Sequence, residues 1–203
     1  MSWSRQRLAA PARTAPAIRD QLRVAAVVGN PKRRSRTYEA ALLVAEKLCG
    51  TPPALVVDVA DLGAGVLEPG DQATSEAVEA VRRAHVVVVA SPTYKATYTG
   101  LLKVFLDRFP PDGLAGVVAV PLMLGAGPSH ALAPEHALRP LLSELGAVTP
   151  TRALYLLDRD YANPDVLDPW LARAVDQVAA RSDRGRRVAD PRHLSSTKGE
   201  RPG

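Results

Sequence analysis

The fold is decided by the stretch Val86–Pro110, VVVVASPTYKATYTGLLKVFLDRFP. It opens with four valines and an alanine, which predict a strand buried on both faces, as in parallel sheets covered by helices. Ser91 and Pro92 predict the end of that strand, and residues 99–109 place apolar side chains at helical spacing. Ligands of open α/β sheets bind beyond the carboxyl ends of the strands, so the polar loop 93–99 is a candidate binding site.

A second strand, loop and helix unit lies near the start of the chain. Residues 23–28 predict a strand, residues 29–37 (GNPKRRSRT) a polar loop, and residues 38–48 an amphipathic helix. Such a unit presents backbone N–H groups and the positive end of a helix dipole to an anion. The loop has neither the GK[ST] ending of a Walker A motif nor a GxGxxG pattern. It predicts a phosphate site, and the alternative is a cationic surface turn that caps the helix through Ser35.

The rest of the chain continues the alternation of strands and helices. Asp58 lies near the end of the second strand. It is better interpreted as a strand-end or loop carboxylate than as a ribose ligand, because the glycine fingerprint is missing. The fourth strand leads into MLGAGPS, residues 123–129, whose small residues let backbone N–H groups approach a planar ligand. Further strands are predicted at 54–59, 116–122 and 151–157, further helices at 71–83, 131–145 and 166–180, and a glycine-rich loop at 61–70.

Charge is concentrated at the two ends of the chain. The net charge is +5, but residues 1–22 contain four Arg and one Asp, and residues 181–203 contain six Arg and one Lys against three acidic residues. The body between them is slightly acidic, which argues against a nucleic-acid partner. Both ends lack apolar periodicity and are predicted to be disordered, basic extensions of a single domain at 23–180.

No apolar run reaches the ~20 residues of a membrane span, and residues 1–22 lack the apolar region of a secretory signal. We therefore expect a protein that does not engage a membrane. Cys49 has no second cysteine to pair with, so a packed thiol in a reducing, cytoplasmic compartment is predicted.

Residues 91–110 resemble the flavin-binding signature of the NADPH-dependent FMN reductase family, especially the branch that supplies reduced flavin to sulfonate-type monooxygenases. The matching positions are Pro92, Tyr94, Lys95, Gly100, Leu102, Lys103 and Asp107. The loop 29–37 is similar to the family's GSxRxxSxT-like phosphate loop, with Asn30 in place of Ser and Lys32 in place of Arg. With the alternating elements, this resemblance implies a flavodoxin-like three-layer α/β sandwich with a parallel five-stranded sheet in the order 2-1-3-4-5.

The resemblance also implies which residues hold FMN. The flavin phosphate is assigned to Asn30, Lys32, Ser35, Arg36 and Thr37. One edge of the ring is assigned to Pro92, Thr93, Tyr94, Lys95, Ala96 and Thr97. The pyrimidine edge is assigned to Gly125, Ala126 and Gly127, where Leu124 and Ala126 depart from the Thr-Gly-Gly type sequence of the family. His136 falls where that branch has a π-bulge near a subunit interface, and His130 is assigned to an interface or to the start of a helix.

The implied function is an NAD(P)H-dependent FMN reductase that supplies reduced FMN to a partner monooxygenase. Hydride transfer from NADPH or NADH to FMN is chemistry of the cofactors, so no catalytic acid, base or metal is assigned. A reductase of quinones or azo dyes that retains its FMN is the alternative within the same enzyme class. A non-enzymatic FMN electron carrier is a third. The family also implies a homodimer or homotetramer.

Overall fold

A computed structural model of the protein describes residues 22–189, with side chains described as far as Ser182. Five strands form one parallel sheet in the order β2-β1-β3-β4-β5, which confirms the predicted topology. The strands are β1 Val24–Val28, β2 Leu55–Asp58, β3 Val86–Pro92, β4 Val118–Gly125 and β5 Leu154–Leu157. The α-helices are α1 Arg36–Cys49, α2 Gln72–Arg82, α3 Gly100–Leu106, α4 Arg139–Glu144 and α5 Pro164–Ala189.

Alternate residues of the central strands pack into two separate cores. In β1, Val24, Ala26 and Val28 face α1 and α5, whereas Ala25 and Val27 face the layer that contains α2, α3 and α4. All residues of β1, β3 and β4 are buried, as expected for a parallel sheet covered on both faces. The result is the predicted three-layer sandwich.

The end of β3 differs from the prediction that Ser91 and Pro92 break the ladder. Both residues belong to the strand and pair with β4 through Met123 and Leu124. On the other side of β3, the pairing with β1 ends at Ala90. The carbonyl of Ala90 points towards β1, so the nitrogen of Pro92, two residues further on, faces the same side. A missing N–H is tolerated there because the neighbouring strand has already ended.

Helix α1 begins and ends with recognisable caps. The Ser35 hydroxyl accepts a hydrogen bond from the Tyr38 N–H at 3.3 Å, and Gly50 closes the helix at φ 79°. Cys49, the last residue of the helix, is buried in the core beneath it. The N-terminus of α1 is therefore held in a fixed position near the carboxyl end of β1.

Several predicted boundaries differ from the structure. The fourth strand is predicted to end at Leu122 but continues to Gly125, so Met123–Gly125 belong to β4 and not to the loop. The glycine-rich segment 61–70 is predicted to be loop, but a 3₁₀ helix spans Val59–Leu67, with a kink at Gly63, where φ is 59°. The closing helix was expected to end at Ala180 and continues to Ala189. Ser182 is buried, and its hydroxyl bonds to the Val178 carbonyl. Residues 1–21 and 190–203, where disorder was predicted, lie outside the described residues.

Across residues 22–189, none of the helices combines the length and the apolar character that a membrane span requires.

Candidate functional site

Three segments assigned from the sequence meet at one edge of the sheet. They are the loop 29–37 after β1, the turn 93–97 after β3, and residues 125–127 at the end of β4. Strands β1, β3 and β4 are adjacent and parallel, so their carboxyl ends lie side by side. Thirteen of the fourteen assigned residues therefore belong to segments that border a single region of the surface, and the fourteenth, Pro92, is the last residue of β3.

Asn30 and Thr37 brace the first loop from inside. Asn30 is buried; its Nδ2 donates to Thr37 Oγ1 at 3.0 Å, and its Oδ1 accepts from the Lys32 N–H at 2.9 Å. Thr37 is buried as well. Sequence reasoning treated both side chains as ligand contacts. In the structure their polar atoms are bonded to each other and to the loop, so they shape the loop that presents Ser35 and the N-terminus of α1.

The cations of the loop fall into two pairs. Arg33 and Arg34 form ion pairs with Asp61 at 3.2 and 3.5 Å. Lys32 and Arg36 are exposed and have no ion-pair partner within the described part of the chain. The cations available to an anionic ligand are therefore the two that the sequence assigned to phosphate.

Asp58 holds the loop from the end of β2. Its Oδ2 accepts a hydrogen bond from the Arg34 N–H at 3.1 Å. Arg34 has φ 48°, in the left-handed region that non-glycine residues rarely adopt. Asp58 is only 4% exposed, and its other carboxylate oxygen has no hydrogen-bond partner among the described residues. It is a strand-end carboxylate, as expected, and it fixes the backbone of the phosphate loop.

The segment after β3 is a tight two-residue turn. The Tyr94 N–H bonds to the Thr97 carbonyl at 2.9 Å and the Thr97 N–H to the Tyr94 carbonyl at 3.2 Å. Lys95 and Ala96 sit at its corner with φ 51° and 66°. Positive φ at both positions is the geometry of a type I′ turn, which glycine and asparagine normally fill. With Lys and Ala the strain is about 1–2 kcal/mol per residue, and such strain clusters at functional sites.

Thr99 ties this turn to the first loop. Its N–H bonds to Ser91 Oγ at 3.0 Å, and its hydroxyl donates to the Gly29 carbonyl at 2.5 Å. The same hydroxyl accepts from the Leu102 N–H at 3.1 Å and so caps α3. One side chain thereby joins the ends of β1 and β3 to the start of α3, which fixes the distance between the two binding segments.

Tyr155 supports the third segment from β5. Its hydroxyl donates to the Gly127 carbonyl at 2.6 Å. A Cβ on Gly125 would overlap that hydroxyl, so glycine is required for the ring to fit. Burial raises the pKa of Tyr155 above its usual value, the nearby Thr93 hydroxyl opposes the rise, and nearby Asp158 adds to it. The loop after β4 is therefore held by a neutral phenol.

A cavity of about 420 Å³ lies beside the turn. It is bounded by Ala96 and by segment 128–136, which includes Leu132 and His136. His136 lies in a π-helix, Pro134–Leu138, in which the Arg139 N–H bonds to the Pro134 carbonyl; this confirms the bulge implied at that position. His130 ends the 3₁₀ turn Pro128–His130 before it.

The π-helix is anchored by one ion pair. Arg139 bonds to Glu135 and donates to the carbonyls of Thr149 and Thr151. The Glu135 carboxylate also accepts from the Ala153 N–H at 2.9 Å. The segment bounding the cavity is thus bonded to residues 149–153, which precede β5.

The structural roles of Asp61 and Tyr155 were not predicted from the sequence. For Tyr155 the available signal was a single polar ring in the apolar run LYLL, and for Asp61 an acid shortly after a strand end, opposite a basic loop. Neither signal predicts which residue the side chain contacts. The contacts of Asp61 with Arg33 and Arg34, and of Tyr155 with Gly127, join residues far apart in sequence. Only the tertiary structure identifies them.

These residues fit a ligand with a phosphate and a flat ring. The capped N-terminus of α1 with Lys32 and Arg36 suits the phosphate. A Cβ on Gly127 would meet nothing within 4 Å, so its backbone is open to a planar group. The turn 94–96, which follows the adjacent strand β3, is exposed and borders the cavity through Ala96. Charge and exposed backbone therefore match FMN.

Comparisons with known proteins agree with this geometry. Residues 22–162 match the family described as NADPH-dependent FMN reductase. The chain is 35% identical to FMN reductase (NADPH) of Escherichia coli strain K12, over 76% of this chain and 85% of that protein. It is 30% identical to NADH-dependent FMN reductase SfnF of Pseudomonas fluorescens strain Pf0-1, over 79% and 90% of the two chains.

A solved structure gives the same result. The apo form of NADH:FMN oxidoreductase (EMOB) superposes with a TM-score of 0.66 and 30% identity, covering 84% of this chain and 92% of the other. The family match covers all three segments of the site. The chain belongs to the NADPH-dependent FMN reductase family.

Proposed function

We propose that this protein is an NAD(P)H-dependent FMN reductase that binds FMN at the β1–β3–β4 edge and releases reduced FMN to a partner monooxygenase. The observation that carries the proposal is the meeting of a capped, basic helix N-terminus with a strained, exposed turn at one sheet edge, in a chain of this family. Bound FMN supplies the acceptor for a hydride from the nicotinamide.

The protein's own residues bind FMN and orient its ring. Ser35 fixes the N-terminus of α1, where Lys32 and Arg36 attract the flavin phosphate. The turn 93–97 offers its backbone to one edge of the ring, with Pro92 as its rigid start. Gly125, Ala126 and Gly127 line the pyrimidine edge, where N–H groups stabilise negative charge that develops on reduction. No acid or base is needed for this role, because the transfer takes place between the cofactors.

The small number of free cations at the phosphate loop supports release in place of retention. Arg33 and Arg34 are held by Asp61 away from additional phosphate contacts. A phosphate held by two cations dissociates more readily than one held by four. The alternative, a quinone or azo reductase that keeps its FMN, predicts a protein that is yellow after desalting.

The test is steady-state oxidation of NADPH and of NADH by the desalted full chain, with FMN varied and oxygen as terminal acceptor. Turnover that requires added FMN and saturates with it supports the proposal. Turnover without added FMN supports the retained-cofactor alternative. The absence of turnover with both nucleotides would contradict the reductase proposal. The electron carrier would then be the remaining hypothesis.

A paired substitution tests the phosphate site. In Lys32→Ala/Arg36→Ala the KM for FMN should rise roughly ten-fold or more, because two charge-assisted contacts are lost. The kcat at saturating FMN should stay within about two-fold, since these residues do not touch the reacting ring. Arg83→Ala, an exposed cation at the end of α2, is the matched control. An unchanged KM would place the phosphate elsewhere.

A homodimer or homotetramer is part of the proposal. Leu132 is 59% exposed beside the cavity, and Tyr94 is exposed on the turn nearby. A second copy covering both would bury apolar surface and enclose the ring site. Sedimentation velocity at micromolar concentration should give a mass of two or four chains, and a concentration-independent monomer would contradict this part.

A further inference from the structure

A second cavity, of about 430 Å³, lies between the edge strand β5 and α5. Its apolar surface includes Leu154 and Ala174, which are both buried. Trp170 forms one wall, and its indole N–H donates to the Arg152 carbonyl at 2.9 Å, which fixes the ring. The volume is in the range of small-molecule sites, and a fixed aromatic wall over an apolar floor suits an apolar or aromatic ligand body.

The charged groups of this cavity all have one sign. Arg152 and Arg173 line it, no Asp or Glu does, and Gln177 adds a neutral amide. Neither arginine has an ion-pair partner in the described part of the chain. A guanidinium is a planar set of donors that matches a carboxylate, so two of them at an apolar cavity select an anionic end group.

The edge of β5 adds a backbone donor. Among residues 22–189, strand β5 pairs only with β4. The Asp158 N–H points towards β4, where it bonds to the Gly125 carbonyl at 3.0 Å. Backbone groups alternate in direction along a strand, so the N–H of Tyr155 points to the outer edge, and Tyr155 lines the cavity. An unpaired strand edge at a cavity is a place for a ligand acceptor.

The ends of this chain do not suit the cavity. Residues 1–21 contain four Arg and one Asp, and residues 190–203 contain two Arg and one Lys against two acidic residues. Their side-chain charges total +3 and +1, so neither segment brings a net negative charge to the two uncompensated arginines. We propose that the β5–α5 cavity binds a small organic carboxylate with an apolar or aromatic body, at a site distinct from the flavin edge.

The probe is 1-naphthoate, titrated into the full chain by calorimetry in the presence of saturating FMN. Its neutral control is 1-naphthalenemethanol, which has the same ring system. Binding is located by the indole N–H resonance of Trp170, which is assigned with a Trp3→Phe variant because the chain has two tryptophans. One naphthoate should bind per chain, shift the Trp170 resonance, and bind at least about ten-fold more tightly than the alcohol.

Three exposed positions that line the cavity, Arg152, Arg173 and Gln177, provide variants that should fold normally. Arg152→Gln/Arg173→Gln should weaken naphthoate binding about ten-fold, and Arg83→Gln should leave it unchanged. Gln177→Glu should weaken binding and Gln177→Lys should strengthen it, each by a few-fold and less at high salt. Thermal unfolding checks that each variant is folded.

Several results would overturn the proposal. They are the absence of saturable binding, equal affinity for acid and alcohol, displacement by FMN, or indifference to the arginine and Gln177 substitutions. None of these bears on FMN-dependent NADPH oxidation, so failure here is distinguishable from failure of the reductase assignment.

Discussion

Gly29 lacks a side chain because Leu102 of α3 occupies the space where one would lie. Close packing of α3 on the end of β1 allows the Thr99 hydroxyl to reach the Gly29 carbonyl. At this scale the site depends on a few residues whose identity is set by neighbours distant in sequence. Gly125 under Tyr155 is a second example.

Gly29→Ala should destabilise the protein by about 2–3 kcal/mol, because the new methyl group overlaps the backbone and Cβ of Leu102. Gly100→Ala is the matched control. A Cβ at position 100 meets nothing within 4 Å in the first turn of α3, so this variant should be neutral or more stable by up to about 1 kcal/mol. Urea unfolding measures both, and equal effects would contradict the packing argument.

Asp58→Ala should weaken FMN binding about ten-fold, because the left-handed conformation at Arg34 loses the acceptor that holds its N–H. Asp58→Asn keeps an amide oxygen in the same place and should bind FMN within about three-fold of the parent. Quenching of FMN fluorescence gives both dissociation constants. The kcat at saturating FMN should be unchanged in each variant. Equal losses in Ala and Asn would show that the charge, not the hydrogen bond, matters.

At the scale of elements, the site is made by the ends of three strands and by the supports behind them. The turn after β3 is strained at Lys95 and Ala96, and its neighbours hold it in place through Thr99 and through the Thr93 N–H, which bonds to the Leu124 carbonyl at 2.7 Å. Strand β5 contributes no assigned ligand contact, yet its Tyr155 supports the loop after β4.

Tyr155→Phe should cost about 1 kcal/mol of unfolding free energy at neutral pH, because the bond to the Gly127 carbonyl is lost while the ring remains. Burial raises the pKa of the folded phenol, so the unfolded chain ionises first as the pH rises. The tyrosine's contribution is therefore complete below pH ~10 and falls above it. The stability difference between parent and variant should shrink over that range. A constant difference up to strongly alkaline pH would contradict this account.

At the scale of the whole molecule, two cores on opposite faces of one sheet hold all five strands and the α-helices that cover them. Helix α5 closes the first core and extends past the predicted domain end to Ala189. A chain ending at Ala180 should therefore be less stable than one ending at Ala189 by about 1–2 kcal/mol, because it lacks buried Ser182 and the helical turns beyond it. Thermal unfolding of the two truncated chains makes the comparison, and equal midpoints would contradict a stabilising role for residues 181–189.

Much of this architecture follows from the sequence by itself. The valine run 86–89 and the apolar strands before and after it require a parallel sheet covered on both faces. The loop 29–37 and the run 91–110 each carry their pattern in consecutive residues, which is why strand order, family and the three binding segments were all predicted. Local chemistry over a few residues is enough for such features.

The tertiary structure alone decided which of those residues remain open to a ligand. The sequence gives Lys32, Arg33, Arg34 and Arg36 the same charge; Asp61 engages the middle two and leaves the outer pair free of ion pairs among the described residues. The same holds for Asn30, whose amide is occupied by Thr37, and for Tyr155, which meets Gly127 across two strands. These outcomes depend on distances between segments remote in sequence, and packing of the two cores sets those distances.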